Sequence, residues 1–363
     1  MNLELTEEQL ALRDTVRRYL SEKASISDHV RPMLDHPTGT TDAVWRGLVD
    51  LGSTGLLVPV EHGGAGASMT EAGLVCEEMG AALHPGPWLS SAVLAPRALA
   101  RFGAHGSRAG ELFAGIAGGS VVAAVAVPAP GTEPGVSGTP DDGVRLYGEI
   151  SQVYDAGAAD VLLVAAGDTL YSVPTASPLV GVTSSPGIDQ SRKAFRTAFN
   201  GAPAQVLAHA DRCAAEALVD DMIVAWAADA VGAARQALQM TVEYAKVRRQ
   251  FGAPIGSFQA VAHLCVDMYE TVELARSGVL YALWTADFAD HRERHLAALR
   301  VKGFAGRLAT VGDLAIQVFG GIGFTWEHDA QLYLKRLLSF SRFLGSPDHY
   351  LEQVGRQLTR RAS

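Results

Sequence analysis

Between Gln205 and Arg249 the chain runs for 45 residues without a proline and with one glycine, Gly232. A stretch of that length without helix breakers predicts one long helix. Val219, Ile223, Trp226, Ala230, Ala234, Leu238 and Val242 recur along it at three- and four-residue steps, an apolar stripe that other helices must cover. Phe251 to Pro254 reads as a turn. Ser257 then opens a second helix reaching roughly to Ala289. A third is expected from Leu296 to about Phe319 and a fourth over most of Asp329 to Leu344. Such lengths suit a helical bundle over residues 206–363.

Two regions of different character precede it. Residues 1–117 read as helical: Thr6-Glu7-Glu8-Gln9 is a capping-box pattern, with Leu10, Val16 and Leu20 following at helical spacing. Pro32, Pro37 and Gly39 break the chain before helices expected at Asp42 to Leu51 and Thr70 to Leu83. Residues 118–205 lose the helical period. Val121 to Val127, Leu146-Tyr147, Ser151 to Tyr154, Val161 to Ala165 and Leu170 to Val173 read as short strands of a compact β domain. The fold class is therefore α+β, in the order helices, β domain, helices.

Composition narrows the function classes. A formal net charge of −9 and a pI near 5.7 argue against gripping nucleic acid through its phosphates. No window reaches the roughly 18 apolar residues of a membrane span. The N-terminus lacks the basic and apolar regions of a signal peptide. Cys76, Cys213 and Cys265 are scattered and expected to be buried free thiols, so a cytoplasmic setting is expected. Glu327-His328-Asp329 has no second cluster to complete a metal site, so no metal is assigned, and Asp329 is expected to cap a helix. Asp220 and Asp221 are expected to be surface charges.

Two segments carry the chemistry. One is Tyr244-Ala245-Lys246-Val247-Arg248-Arg249-Gln250-Phe251-Gly252-Ala253-Pro254 and its continuation to Val261. The other is Gln317-Val318-Phe319-Gly320-Gly321-Ile322-Gly323-Phe324-Thr325-Trp326-Glu327-His328-Asp329. A guanidinium and an amide at a helix end suit a pyrophosphate, and paired glycines allow close backbone approach. Together the segments resemble the acyl-CoA dehydrogenase family. Weaker echoes lie at Gly55-Leu56-Leu57-Val58-Pro59 and Asp155-Ala156-Gly157-Ala158-Ala159-Asp160. The resemblance implies an N-terminal helical domain, a central β-barrel or sandwich and a C-terminal four-helix bundle. It further implies FAD held by Arg248, Gln250, Phe251, Gln317, Gly320 and Gly321, with Gln317 and Gly321 serving a neighbouring subunit. The implied reaction removes the α-proton of an acyl-CoA thioester and passes the β-hydride to flavin, giving a 2-enoyl-CoA. An electron-transfer flavoprotein or another acceptor would then reoxidise the cofactor.

The catalytic base is where the sequence departs from the family. The position most members give to a glutamate holds Leu344, before Gly345. The alternative position in the long helix, with the arginine that follows it, holds Met222 and Ile223. Asp229, seven residues after Met222, is the residual candidate; its alternative role is an aspartate paired with an arginine. Thr132-Glu133-Pro134-Gly135 reads either as the family's strand-end motif after a shift or as a chance tetrapeptide. Three functions follow. The chain is one subunit of an α2β2 heteromer whose partner carries the base, as in dehydrogenases acting on sterol side chains. Alternatively it is a self-sufficient homo-oligomer with a non-standard base, or a redirected flavoprotein or scaffold.

Overall fold

The computed structural model describes residues 4–128, 136–139 and 144–359. The N-terminal helices are α1 (Glu7–Lys23), α2 (Arg31–Met33), α3 (Asp42–Asp50), α4 (Met69–Ala81), α5 (Ala95–Arg101) and α6 (Ser107–Ala117). The capping box at Thr6 and Gln9 forms as the sequence predicts, and Ser68 with Glu71 builds a second one at the start of α4. Eight strands follow: β1 (Ala123–Ala126), β2 (Val136–Thr139), β3 (Arg145–Tyr154), β4 (Val161–Ala166), β5 (Thr169–Pro174), β6 (Val180–Ser184), β7 (Ala194–Pro203) and β8 (Gln205–His209).

The strands make two four-stranded sheets, ordered β1-β4-β5-β8 and β2-β3-β7-β6. Ala124, Leu162 and Val173 of the first pack against Ile150, Phe195 and Phe199 of the second. Among the described residues the sheets form this sandwich and do not close into a barrel. The other face of the first sheet, with Val125, Leu163 and Leu170, joins the helical core. Burial on both faces explains why β1 and β4 are continuous apolar runs, whereas half-exposed β3 mixes polar and apolar residues. Leu146-Tyr147 and Ser151 to Tyr154, expected as separate strands, are one strand interrupted by register shifts against β7.

The long helix is α7 (Arg212–Val247), followed by a hairpin of β9 (Arg249–Gln250) and β10 (Ala253–Pro254). The bundle continues with α8 (Gln259–Phe288), α9 (His291–Gly303), α10 (Ala305–Phe319), α11 (Ala330–Arg342) and α12 (Pro347–Thr359). The helix expected from Leu296 to Phe319 is thus two helices that break at Phe304, whose N–H is shared between the Arg300 and Val301 carbonyls. Residues 220–234 of α7 are buried without interruption, which makes α7 the central rod of the molecule rather than a one-sided amphipathic helix. Among the described residues no helix is long and apolar enough to cross a membrane.

Central burial explains the lone glycine. A Cβ at Gly232 would overlap the Glu77 carbonyl oxygen, and one at Gly80 would overlap that of Asp229. The two glycines let α4 and α7 approach backbone to backbone. Gly232→Ala is expected to lower unfolding free energy by about 3 kcal/mol, because backbone atoms must give way. Gly355→Ala on α12, where an added Cβ meets nothing within 4 Å, should leave it unchanged or slightly raised in urea titrations.

Several polar expectations are corrected by the packing. Asp220 and Asp221 are 2% and 0% exposed, not surface charges. Arg97 and Arg101 both reach Asp221 at 2.8 Å, and that pairing makes its burial tolerable. Asp329 makes no side-chain cap; Arg31 binds it at 2.6 Å, and His328 Nδ1 accepts the Ala330 N–H instead. Of the cysteines Cys76 is buried, Cys265 is half-buried and Cys213 is exposed near the start of α7.

Candidate functional site

A cavity of about 470 Å³ opens where the sandwich meets the bundle. Val125, Val127 and Pro128 extend from β1, Glu149 to Gln152 and Tyr154 come from β3, Met222 and Trp226 from α7, and Arg342 to Gly345 from the turn after α11. Met222 and Leu344, far apart in sequence, therefore face one cavity. Both positions that the sequence reading assigns to a base are walls of one space, and neither side chain accepts a proton. Glu149 is the one carboxylate among the described lining residues. Its side chain is 47% exposed and lies 3.7 Å from Arg196.

Aromatic stacking fixes the inner wall. Trp226 and Phe343 stack with centroids 4.6 Å apart, and Tyr154 meets both rings at an angle. Behind Trp226, Arg192 lies over the indole at 5.4 Å. Burial raises the Tyr154 hydroxyl well above its ordinary pKa, so it stays protonated. The turn itself is tight: Leu344 has φ +54° and Gly345 φ +120°. A leucine in the left-handed region costs about 1 kcal/mol and is held there by its surroundings.

The Tyr350 hydroxyl donates to the Leu344 carbonyl at 2.8 Å, and Lys302 of α9 anchors the chain just before the turn. It is 0% exposed, and its Nζ donates to the carbonyls of Phe340 and Ser341 at 2.8 and 2.9 Å, directly before the cavity segment. Burial, then the charge of Arg342, pushes its pKa down to about 7.

Asp229 is not in the cavity. It pairs with Arg192, and Arg336 Nη1 lies 3.5 Å away; Arg336 also reaches Asp189 at 3.2 Å. All four are nearly fully buried. The arginine-paired reading of Asp229 is the one observed. Signals for this quartet in the sequence are absent, since its members lie on separate elements. Asp155 accepts a hydrogen bond from Ser90, and burial nevertheless raises its pKa to about 6.

The two sequence motifs converge, but elsewhere. Tyr244, one turn before Arg248, packs on Phe319, the residue before Gly320, with ring centroids 4.7 Å apart. Phe251 and Gly252 both have positive φ, the geometry of a two-residue hairpin turn, and Phe251 is 94% exposed. Arg248, Gln250, Gln317, Gly320 and Gly321 are all exposed as well. Gly320 (φ +66°) and Gly321 present open faces, with nothing within 4 Å of an added Cβ. Exposed guanidinium, amides and bare backbone fit the phosphates and sugars of a dinucleotide, and the aromatic cavity fits a flat ring system. Yet Arg248 lies 22 residues beyond Trp226 on α7, roughly 33 Å along the axis at 1.5 Å per residue. One chain's hairpin does not reach its own cavity. Thr132-Glu133-Pro134-Gly135 lies outside the described residues.

Two outcomes follow for solution measurements. Asp229→Asn leaves two buried arginines against one aspartate and is expected to cost about 3–5 kcal/mol of stability by chemical denaturation. For Lys302 the folded pKa of about 7 lies below the ordinary 10.5, so the unfolded chain holds the extra proton between those values. Its stabilising contribution therefore grows as pH rises from 7 and is lost as pH falls through 7. The melting temperature of wild type relative to Lys302→Met should rise between about pH 6.5 and about pH 9; a constant difference would contradict this.

Comparison with known proteins agrees with the geometry. Residues 6–114 match the acyl-CoA dehydrogenase N-terminal domain, and residues 214–359 match the C-terminal domain. The chain is 37% identical over 361 residues to acyl-CoA dehydrogenase FadE34 of Mycobacterium tuberculosis, covering 96% of this chain but 48% of that protein. It thus spans about half the length of FadE34. It is 33% identical to acyl-CoA dehydrogenase IpdE2 of Mycolicibacterium smegmatis, covering 96% of this chain and 98% of that one. A chain of the ChsE4-ChsE5 complex from Mycobacterium tuberculosis superposes with a TM-score of 0.88 at 28% identity, covering 99% of both. With both terminal domains matched and near full-length relatives above 30% identity, the chain belongs to the acyl-CoA dehydrogenase family.

Proposed function

We propose that this chain is one subunit of a heteromeric, FAD-dependent acyl-CoA dehydrogenase whose catalytic base resides in its partner. The observation that carries the reading is the cavity itself, walled by Met222 and Leu344 where a base is needed. The separation of roughly 33 Å between Trp226 and Arg248 adds that any cofactor touching both kinds of surface spans two chains. Arg248, Gln250 and Phe251 of this chain, with Gln317, Gly320 and Gly321, would hold the pyrophosphate and adenosine end of FAD in the partner's site. When bound, FAD accepts the hydride from the acyl-CoA β-carbon. The chain's own residues orient and exclude water; proton removal falls to the partner's carboxylate. FadE34 leaves room for this arrangement, since the 52% of its length outside the match (100% less 48%) suffices for a second unit of equal size. ChsE4-ChsE5 is described as a complex of two named components. A bulky or polycyclic acyl-CoA is the substrate class implied by the resemblance to dehydrogenases acting on sterol side chains, with an electron-transfer flavoprotein or similar acceptor downstream.

Glu149 supports a second reading, a homo-oligomer in which this carboxylate at the cavity rim takes the proton. One measurement separates the two. The chain is purified alone and together with whatever acyl-CoA dehydrogenase-like chain is encoded beside it, and flavin absorbance is read near about 450 nm. Flavin retained only by the pair, with bleaching on addition of acyl-CoA, is the expected result. A yellow chain that bleaches unaided, and stops doing so as Glu149→Gln, would overturn the heteromeric reading.

A further inference from the structure

A second polar cluster lies on the side of α7 turned from the cavity. Asp220 precedes Met222 by two residues, about 200° around the helix. Glu216 and Asp220 stand four residues apart on α7, and His291 and His295 stand four apart on α9, so each pair shares a face. The faces meet: His291 Nε2 lies 2.7 Å from Glu216 Oε1, and His295 Nδ1 lies 2.9 Å from Asp220 Oδ1 and 3.8 Å from Glu216 Oε1. One ligand atom from each of Glu216, Asp220 and His295 falls within 4.8 Å of the other two.

From this geometry we infer a binding site for a divalent zinc-class cation, with Glu216, Asp220 and His295 as ligands and His291 as the fourth. Two ligand atoms on one tetrahedral zinc lie about 3.3 Å apart, given metal–ligand bonds of about 2.0–2.1 Å. Within the trio, His295 lies 2.9 and 3.8 Å from its two carboxylate partners and all three ligand atoms fall within 4.8 Å, so side-chain adjustment brings them onto one ion, with His291, 2.7 Å from Glu216, turning in as the fourth. Asp220 is the inner ligand, 2% exposed, and its Oδ2 has no hydrogen-bond partner among the described residues. The nearest cation to it, Arg294 Nε, stands 3.7 Å off, beyond hydrogen-bond range and itself without a hydrogen bond. The oxygen that faces the cluster is Oδ1, held by His295 at 2.9 Å, so Asp220 reaches the ion through Oδ1 while Oδ2 stays beside Arg294. The outer members are accessible, with Glu216 and His291 side chains 42% and 46% exposed, which gives an ion its way in. Two imidazoles with two carboxylates suit zinc and its transition-metal neighbours over magnesium or calcium, which take all-oxygen sites. Asp290, capping α9 through the Glu293 N–H, holds His291 in the first turn beside Glu216. The ion would tie α9 to the central helix, and through Lys302 on α9 it would brace the turn that lines the cavity.

The test uses tag-free, chelator-treated full-length protein, with its partner chain if the pair is required for solubility. Zinc chloride is titrated by calorimetry and by thermal melting. One equivalent per chain and a zinc-dependent rise in melting temperature are expected, with magnesium producing neither. His295→Ala should weaken binding at least tenfold, and Glu216→Gln, half-exposed and therefore safe for folding, should do the same. Absence of zinc binding in wild type, or unchanged affinity in Glu216→Gln, would overturn the assignment.

Discussion

Two arginines and two aspartates, sealed from water, tie the architecture together. Asp189 and Arg192 come from the loop between β6 and β7, Asp229 from the centre of α7, and Arg336 from α11. Arg336 also donates to the carbonyl of His84, just after α4. Sandwich, central helix, α11 and N-terminal helices thus share one charge-neutral knot. Its value lies in register more than in net energy, since apolar packing could stabilise as well. If α11 slid by a turn, Arg336 would lose both carboxylates, and the Arg342 to Gly345 wall would leave the cavity with it.

The helical outline was legible because it rests on breakers and periodicity. The Gln205 to Arg249 stretch announced α7, and Thr6 with Gln9 announced the start of α1. The two motifs were legible because their chemistry is local. What remained hidden depends on partners distant in sequence. Nothing near Asp221 reveals that Arg97 and Arg101 await it, 124 and 120 residues away. Gly232 looked like a gap in a helix, and only the carbonyl of Glu77 gives it meaning. Lys302 and Glu149 escaped notice because a lysine in a charged helix and a glutamate in a strand are unremarkable until the fold shows what they face. The cluster at Glu216 and His291 could have been found from its two four-residue spacings, but only by knowing that α7 and α9 are neighbours.

The departures from the family form a coherent set. A leucine replaces the expected acid at the turn, a methionine stands at the alternative position, and both line one cavity with Trp226 and Phe343 behind them. The surfaces directed outwards, the hairpin and the paired glycines, keep their polar and open character. Loss at the proposed chemical centre beside retention at the rim is what the heteromeric proposal requires of a chain that completes another chain's site.

The length of α7 carries one more implication. With the exposed hairpin at the C-terminal end of the rigid 36-residue α7 and the cavity near its middle, cofactor retention becomes, under the proposed function, a bimolecular property of the protein. Dilution that separates the chains would release the cofactor even though every fold stays intact, and added cofactor would drive the chains back together by mass action. The flavin, on this reading, is as much the glue of the assembly as its reagent, and its abundance would set how much assembled dehydrogenase exists at a given concentration of the two chains.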